Sequence, residues 1–352
     1  MSQDWAIIVG VKDYWDNSFN TLEGPVSDAE SFYNWLIDQR GGNIPANREP
    51  SEDNPSRIKL VKSNGRPEAA SHARPTGDEV YAAGVDITDW LGRHRETGRR
   101  LYIYMNGHGC TPINAEQAES VALLMANASS TEALLNFPAT ACAKYMRRRG
   151  HFEEVVLIMD CCRSRASNAI SPPYYVTYGD TTRGGHIVEA YATNWDSQAH
   201  EFCYPPAKQK RGAFTHALLD CLSSGKLTGS QLRQSVQVKV ERDLIAQGFS
   251  EEAARLRQPQ IHADPEKYLN EIWFSEGASP PRTRIEIRRY ADMPQPEIYQ
   301  TARFPPPRVN KKPGDPDDAF VWLLEPGSYG LKIGDKSREF TVYAALPQEL
   351  EI

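Results

Sequence analysis

Long apolar runs are missing from this chain of 352 residues. No stretch approaches the roughly 18 consecutive apolar residues that a membrane-spanning helix needs, so no membrane partner is expected. Cysteine is also sparse. The six thiols, at positions 110, 142, 161, 162, 203 and 221, have neither the density of a disulfide scaffold nor a C-x-x-C spacing. Free thiols in a reducing compartment are the reading that follows. The first residues, MSQDWAIIVGVKDYW, lack the basic and apolar regions of a secretory signal, and a cytoplasmic location is expected. A positive excess is absent too: the net charge is -6. That argues against a nucleic-acid partner, and the small basic clusters at 147–149 and 208–211 read as solvated surface.

What the chain does have is a series of short apolar runs, at 5–11, 57–61, 100–105, 155–159 and 187–193, alternating with amphipathic segments. Runs of this length, rich in β-branched and aromatic residues, suggest an α/β fold with a mostly parallel central sheet and helices on both faces. Ser27 with Glu30, Thr76 with Glu79 and Thr228 with Gln231 fit the capping-box pattern and mark three helix starts. After about residue 276 a proline-rich passage leads into alternating segments broken by turns at Glu325-Pro326-Gly327 and Gly334-Asp335. The chain therefore divides into a domain over 1–275 and a small all-β domain over 276–352. LLEPGSYGLKIG within it resembles the PEGA-type β modules.

Two strand ends carry the chemistry. VVLIMDCCRSR ends a buried run in an acid and two thiols, and RLYIYMNGHGC ends another in a histidine between glycines. The carboxyl ends of parallel strands are where such sheets place their ligands. Taken alone, a strand-end cysteine is more often a small buried hydrophobe. In a parallel sheet, however, both ends lie on one edge, which brings His108 within reach of a cysteine of the pair. Alternation along the strand separates the two thiols: if Cys162 faces the cleft with Asp160, Cys161 faces the packed side.

At this point the chain resembles the caspase-like cysteine peptidases, in particular their metacaspase-type prokaryotic members. AIIVGVKDY, LEGPVSDAESFYNWL, YIYMNGHG, VVLIMDCC, VEAYATNWDSQAHEF and GAFTHALLDCL follow that family's order over residues 1 to about 250. The caspase signature Q-A-C-x-G is replaced by Met159-Asp160-Cys161-Cys162. The resemblance implies the caspase-hemoglobinase fold, Cys162 as nucleophile and His108 as general acid/base. It also implies an oxyanion hole of backbone N–H groups, with Gly109 and Cys162 as donors. The imidazole would take the thiol proton and return it to the leaving amine.

The resemblance further implies an acidic S1 pocket made by Asp28 and Asp160, and hence cleavage after Arg or Lys. Asn106 stands where metacaspases often have serine, and Asp196 and Gln198 resemble their D-x-Q segment; Trp195 either walls the pocket or is structural. Many relatives use calcium, but the loop at 163–185 offers only Asp180 for it, so no metal or other cofactor is expected. Arg163, Arg165 and Arg183, and the group Lys208, Lys210 and Arg211, are candidate sites for cleavage by the enzyme itself or by an upstream activating protease. The expected partners are protein substrates. The family suggests a regulated protease in bacterial stress, cell-death or antiviral defence, CRISPR-linked defence included. The alternative function is a catalytically silent caspase-fold scaffold that binds partners. A redox protein is disfavoured by the vicinal spacing of the two thiols.

Overall fold

The computed structural model describes residues 3–47, 49–51, 54–113, 120–132, 134–166, 169–170, 185–205, 209–275, 281, 283–288, 296–300 and 319–344. Six strands form the central sheet: β1 (Trp5–Gly10), β2 (Ile58–Lys62), β3 (Gly98–Asn106), β4 (Phe152–Asp160), β5 (His186–Tyr191) and β6 (Gln260–Asp264). Their spatial order is β6-β5-β4-β3-β1-β2. Every neighbouring pair is parallel except β6, which runs antiparallel to β5 at one edge. The five expected runs are the five parallel strands.

Alternation along these strands divides the interior into two cores. Ile7, Val9, Ile103, Met105, Leu157 and Met159 point to one face, where they meet α2 (Gly77–His94) and α3 (Ala139–Arg148). The intervening Ile8, Tyr104, Val156 and Ile158 point to the other, against α1 (Pro25–Ile37), α4 (Ala213–Ser224) and α5 (Gly229–Ala246). Burial on both faces is why these strands read as continuous apolar runs rather than as half-polar ones.

Two of the three expected helix starts are capping boxes, at Thr76 with Glu79 and at Thr228 with Gln231. The third is corrected. α1 begins at Pro25 with Gly24 in the N-cap position, and Ser27 lies inside its first turn, donating back to the Gly24 carbonyl at 2.9 Å. Proline fits the first helical position because it has no N–H to leave unpaired there.

Beyond the sheet, strands Thr283–Arg288 and Ala319–Leu324 pair antiparallel, and Glu297–Gln300, Gly327–Ile333 and Lys336–Val342 form a second antiparallel sheet. Ile285, Ile287 and Trp322 from the first share one apolar cluster with Ile298, Leu331 and Val342 from the second. Gly334, with φ of 58°, makes the turn between the last two strands, as the Gly-Asp pair implied. The chain then returns to the larger unit: Ala344, fully buried among the α4 and α5 residues, donates its N–H to Ser235 at 2.9 Å.

Candidate active site

Strands β3 and β4 lie side by side in register, with Asn106 opposite Asp160 at their carboxyl ends. His108 and Cys162 each follow two residues later, so the register alone sets them on the same edge of the sheet. The two thiols divide as alternation requires. Cys161 is 2% exposed among the α2–α3 core, whereas Cys162 is partly exposed. Burial pushes Cys161 well above the ordinary thiol range, which makes it inert.

Cys162 is also held above the ordinary thiol range, first by burial, then eased by the Ala199 N–H, and raised again by Asp160. It therefore rests as a thiol and needs a base to become a nucleophile. His108 is suited to that. Burial lowers its pKa, offset by the Asn20 carbonyl and the charge of Glu201, so the ring is neutral near pH 7. Its Nε2 lies 2.9 Å from the Asn20 carbonyl oxygen. A carbonyl only accepts, so Nε2 carries the proton and Nδ1 is the basic atom. Tyr14 fixes the residue from below: its hydroxyl accepts the His108 backbone N–H at 2.9 Å, and its ring lies 5.0 Å from the imidazole.

Gly109 leaves no room for a side chain. A Cβ there would stand 2.7 Å from the Cys161 Cβ and 2.7 Å from the Cys162 carbonyl oxygen. The backbones at 109 and 162, the two expected oxyanion donors, are thereby brought together.

Asp28, Asp160 and Asn106 form one buried cluster on the α1–α4 side. Asp28 has no exposed surface. Its Oδ1 accepts Arg211 Nε at 2.7 Å, and its Oδ2 accepts the Gly212 N–H at 2.8 Å and Asn106 Nδ2 at 3.3 Å. Asp160, 4% exposed, accepts Thr215 Oγ1 at 2.6 Å and the Thr215 N–H at 3.1 Å, in the first turn of α4. Gly212 lies directly over it, with room for no Cβ. Asn106 also donates to Tyr104, whose hydroxyl meets Thr215 Oγ1 at 2.8 Å. Burial pushes Asp28 up to about 6, with Arg211 and the Gly212 N–H pulling against it. Burial and then the Asp28 charge push Asp160 up to about 7, despite Thr215. Two carboxylates this close disfavour being ionised together.

Asp196 lies apart from this cluster. It is exposed, in a left-handed turn with φ of 56°, and lines a cavity of about 630 Å³ with Trp195, Ser164 and Arg257. Trp195 sits under two guanidinium groups, those of Arg163 at 5.9 Å and Arg165 at 5.4 Å. Arg163 needs a second correction. It was expected in an exposed, cleavable loop, but it is 3% exposed, stacks over the Tyr191 ring at 4.2 Å and donates to the Thr193 carbonyl at 3.3 Å. The ring face and the carbonyl offset part of the cost of burying this guanidinium, whose Nε finds no hydrogen-bond partner. Asp180, Arg183 and Lys208 fall outside the described residues.

Glu201, like Tyr14, Asn20 and Thr215, is a site residue that no motif in the sequence marks. Glu201 opens a short antiparallel ribbon, Glu201–Cys203 with Lys210–Gly212. Its carboxylate accepts the Glu23 N–H at 3.1 Å and the Gly24 N–H at 2.8 Å, at the start of α1. No local pattern reveals it, because its partners lie 178 and 177 positions away. Lys210 meanwhile pairs with Glu23 at 3.1 Å. Among the described residues, no group of three His, Cys, Asp or Glu side chains is placed to hold a metal ion. No described helix is long and apolar enough to cross a membrane.

A family model described as the caspase domain matches residues 3–270. Among solved structures, caspase-1 from Spodoptera frugiperda aligns at 12% identity with a TM-score of 0.45, covering 74% of this chain and 86% of that one. A protein from Geobacter sulfurreducens aligns at 12% identity and a TM-score of 0.42, covering 74% and 92%. Likeness at that level transfers no residue role. No curated protein matches the chain.

Proposed function

Because the chain belongs to the caspase-domain family of cysteine peptidases, we propose that it is an endopeptidase that cleaves protein substrates after Arg or Lys through Cys162 and His108. In this reading Nδ1 of His108 takes the Cys162 proton as sulfur attacks the scissile carbonyl. The same nitrogen then returns the proton to the leaving amine, and water repeats the cycle on the thioester. The imidazolium formed in between is stabilised by the Asn20 carbonyl on Nε2. The backbone N–H groups of Gly109 and Cys162 meet the oxyanion.

The observation that carries the basic preference is a charge imbalance. Three carboxylates, Asp28, Asp160 and Glu201, act on one another beside the nucleophile, and two cations answer them among the described residues, the Arg211 guanidinium bound to Asp28 and the charge of Lys210 acting on Glu201. A cationic substrate side chain lowers the cost of ionising the buried pair, and an acidic one raises it. That Asp28 already binds Arg211 supports the fit of a guanidinium to this chemistry.

The thiol and imidazole supply the reacting groups, and calcium independence belongs to the proposal, as does action in a reducing cytoplasm. A place in a stress or defence pathway rests on the family resemblance, and capture of cleavable proteins by Cys162→Ala tests it. The test of the main reading is a fluorogenic peptide panel with Arg, Lys, Asp and neutral residues at P1, run with calcium and with chelator. Release from Arg or Lys peptides, equal in both conditions, is expected. Release from the Asp peptide alone refutes the pocket assignment.

A further inference from the structure

The imidazole of His108 is held by a loop that lies at the surface. Asn20, whose carbonyl meets Nε2 at 2.9 Å, is exposed, and so are Asn17 and Ser18 before it. A carbonyl on an exposed loop competes with water for that N–H unless something fixes the loop.

Asp16 supplies the fixing. Its Oδ1 accepts the Ser18 N–H at 2.9 Å and the Ser18 hydroxyl at 2.8 Å. Its Oδ2 accepts the Ser130 N–H at 2.8 Å and the Ser130 hydroxyl at 2.9 Å. A carboxylate offers about four such positions, and all are taken. Ser18 folds the loop on itself, whereas Ser130 lies 114 positions away and ties it to another part of the chain. Phe19 donates its N–H to the Asp16 carbonyl at 3.2 Å, so a single turn connects this clasp to Asn20. The Ser130 N–H first, then the Ser18 donors, hold the Asp16 carboxyl well below the usual carboxylate range. The clasp therefore stays charged wherever a histidine titrates.

The Ser130 segment also holds the base itself. It continues the short strand Ala122–Leu124, which pairs antiparallel with Gly109–Pro112, the strand that leaves His108. Leu124 donates its N–H to the His108 carbonyl at 2.8 Å. Just beyond, the Ala126 and Asn127 carbonyls accept the Trp15 N–H and its indole N–H, both at 3.1 Å. One segment, 124–130, thus grips His108 through its backbone and grips the loop of Tyr14, Phe19 and Asn20 through Trp15 and Asp16. Phe19 packs between them, 5.4 Å from the Tyr14 ring and 6.0 Å from the imidazole.

We propose that Asp16 is a positioning residue of the peptidase: by clasping Ser130 it holds the Asn20 carbonyl on Nε2 of His108, which keeps the proton on that nitrogen and leaves Nδ1 basic. This rests on the catalytic reading of His108 above. Asp16 acts through the loop rather than by its charge, since the groups that move the His108 pKa are burial, the Asn20 carbonyl and Glu201.

The test is steady-state kinetics on the best peptide of the panel above, with a pH–rate profile. Asp16→Ala should lower kcat by about tenfold or more with KM held within about twofold, because a misplaced catalytic group slows chemistry rather than binding. The Asn20 carbonyl raises the pKa of His108, so its loss should also move the acid limb of kcat/KM to lower pH. Asp16→Asn, which keeps one acceptor oxygen, should fall between wild type and the Ala variant in both readouts. A kcat within about twofold of wild type in Asp16→Ala overturns the proposal. So does a loss of kcat with the acid limb unmoved, which would make Asp16 a prop of the fold alone. Melting curves check folding; if the Ala variant does not fold, Asp16→Asn decides, and a wild-type kcat and acid limb there overturn the assignment. His108→Ala runs beside them. An undiminished kcat in that variant, or a wild type that cleaves no peptide of the panel, refutes the catalytic reading itself, and the two failures are thereby told apart.

Discussion

Asn106 and Asp160 face each other as register partners at the ends of β3 and β4, and everything the site does at Cys162 and His108 is set two residues beyond them. Strand pairing of this kind is rigid, because a slip of one residue would turn every buried side chain to the wrong face. The nucleophile and its base thus inherit their spacing from the sheet. Cys162→Ala should abolish peptide turnover, by a thousandfold or more, whereas Cys161→Ala should retain turnover within about tenfold while lowering the melting temperature, since it removes a fully buried sulfur. Steady-state kinetics and thermal melts on the two variants measure both. Equal loss of activity in each would remove the distinction drawn from alternation.

Gly109→Ala should damage both fold and activity, because its Cβ would meet backbone at Cys162 as well as the side chain of Cys161. A drop of at least a hundredfold in kcat/KM is expected. Gly92→Ala is the matched control. It lies exposed in α2, a Cβ there meets nothing, and the helix should gain about 0.5–1 kcal/mol.

How much of this was legible in the sequence depends on the range of each interaction. Strand runs, the Thr76 and Thr228 caps and the division of the two thiols follow from local pattern, and the structure has them. The start of α1 was misplaced because Ser27 fits a capping box while Pro25 fixes the true first turn. Arg163 reads as loop because charge is normally solvated, and its burial rests on partners some 30 positions away, the Tyr191 ring and the Thr193 carbonyl. Arg211 and Asp28 stand 183 positions apart. No periodicity signals that an arginine following a lysine-rich stretch will turn inward to a helix start.

The Arg211–Asp28 pair gives a stability prediction. Arg211→Met should destabilise by about 3 kcal/mol, because it strands a sealed carboxylate, and adding Asp28→Asn should recover much of the loss. Urea unfolding of the two singles and the double variant closes the cycle. Additive losses would mean that the pair is not coupled.

Asp28 and Asp160 also make stability depend on pH. Their folded pKa values, about 6 and about 7, lie above those of carboxyls in the unfolded chain. The folded state therefore binds more protons between roughly pH 4 and 7. Their contribution is fully present below pH 4 and is lost as pH rises through 6 to 7. With activity aside, the melting temperature should fall between pH 5 and pH 8, and Asp160→Asn, which can still accept from Thr215, should flatten that fall by a few degrees. A slope unchanged in this variant would assign the pH dependence elsewhere.

His108 sets the acid limb of catalysis. Burial lowers its pKa, so kcat/KM should hold down to a pH below the usual histidine midpoint near 6.5 and then decline as the ring is protonated. Tyr14→Phe removes the hydroxyl that accepts the His108 N–H. It should lower kcat by about tenfold or more, as expected for a lost hydrogen bond to a buried donor. A pH–rate profile of wild type and this variant tests both.

Ala344 is buried against Ser235 among the residues of α4 and α5, more than 300 residues downstream of the strand that begins the sheet. During synthesis the central sheet and the helices over it are therefore made before Ala344 emerges to join them. Until then the Ser235 hydroxyl on α5 lacks the N–H that Ala344 brings to it, so that the C-terminal strands complete a contact of the larger unit as well as their own sheets.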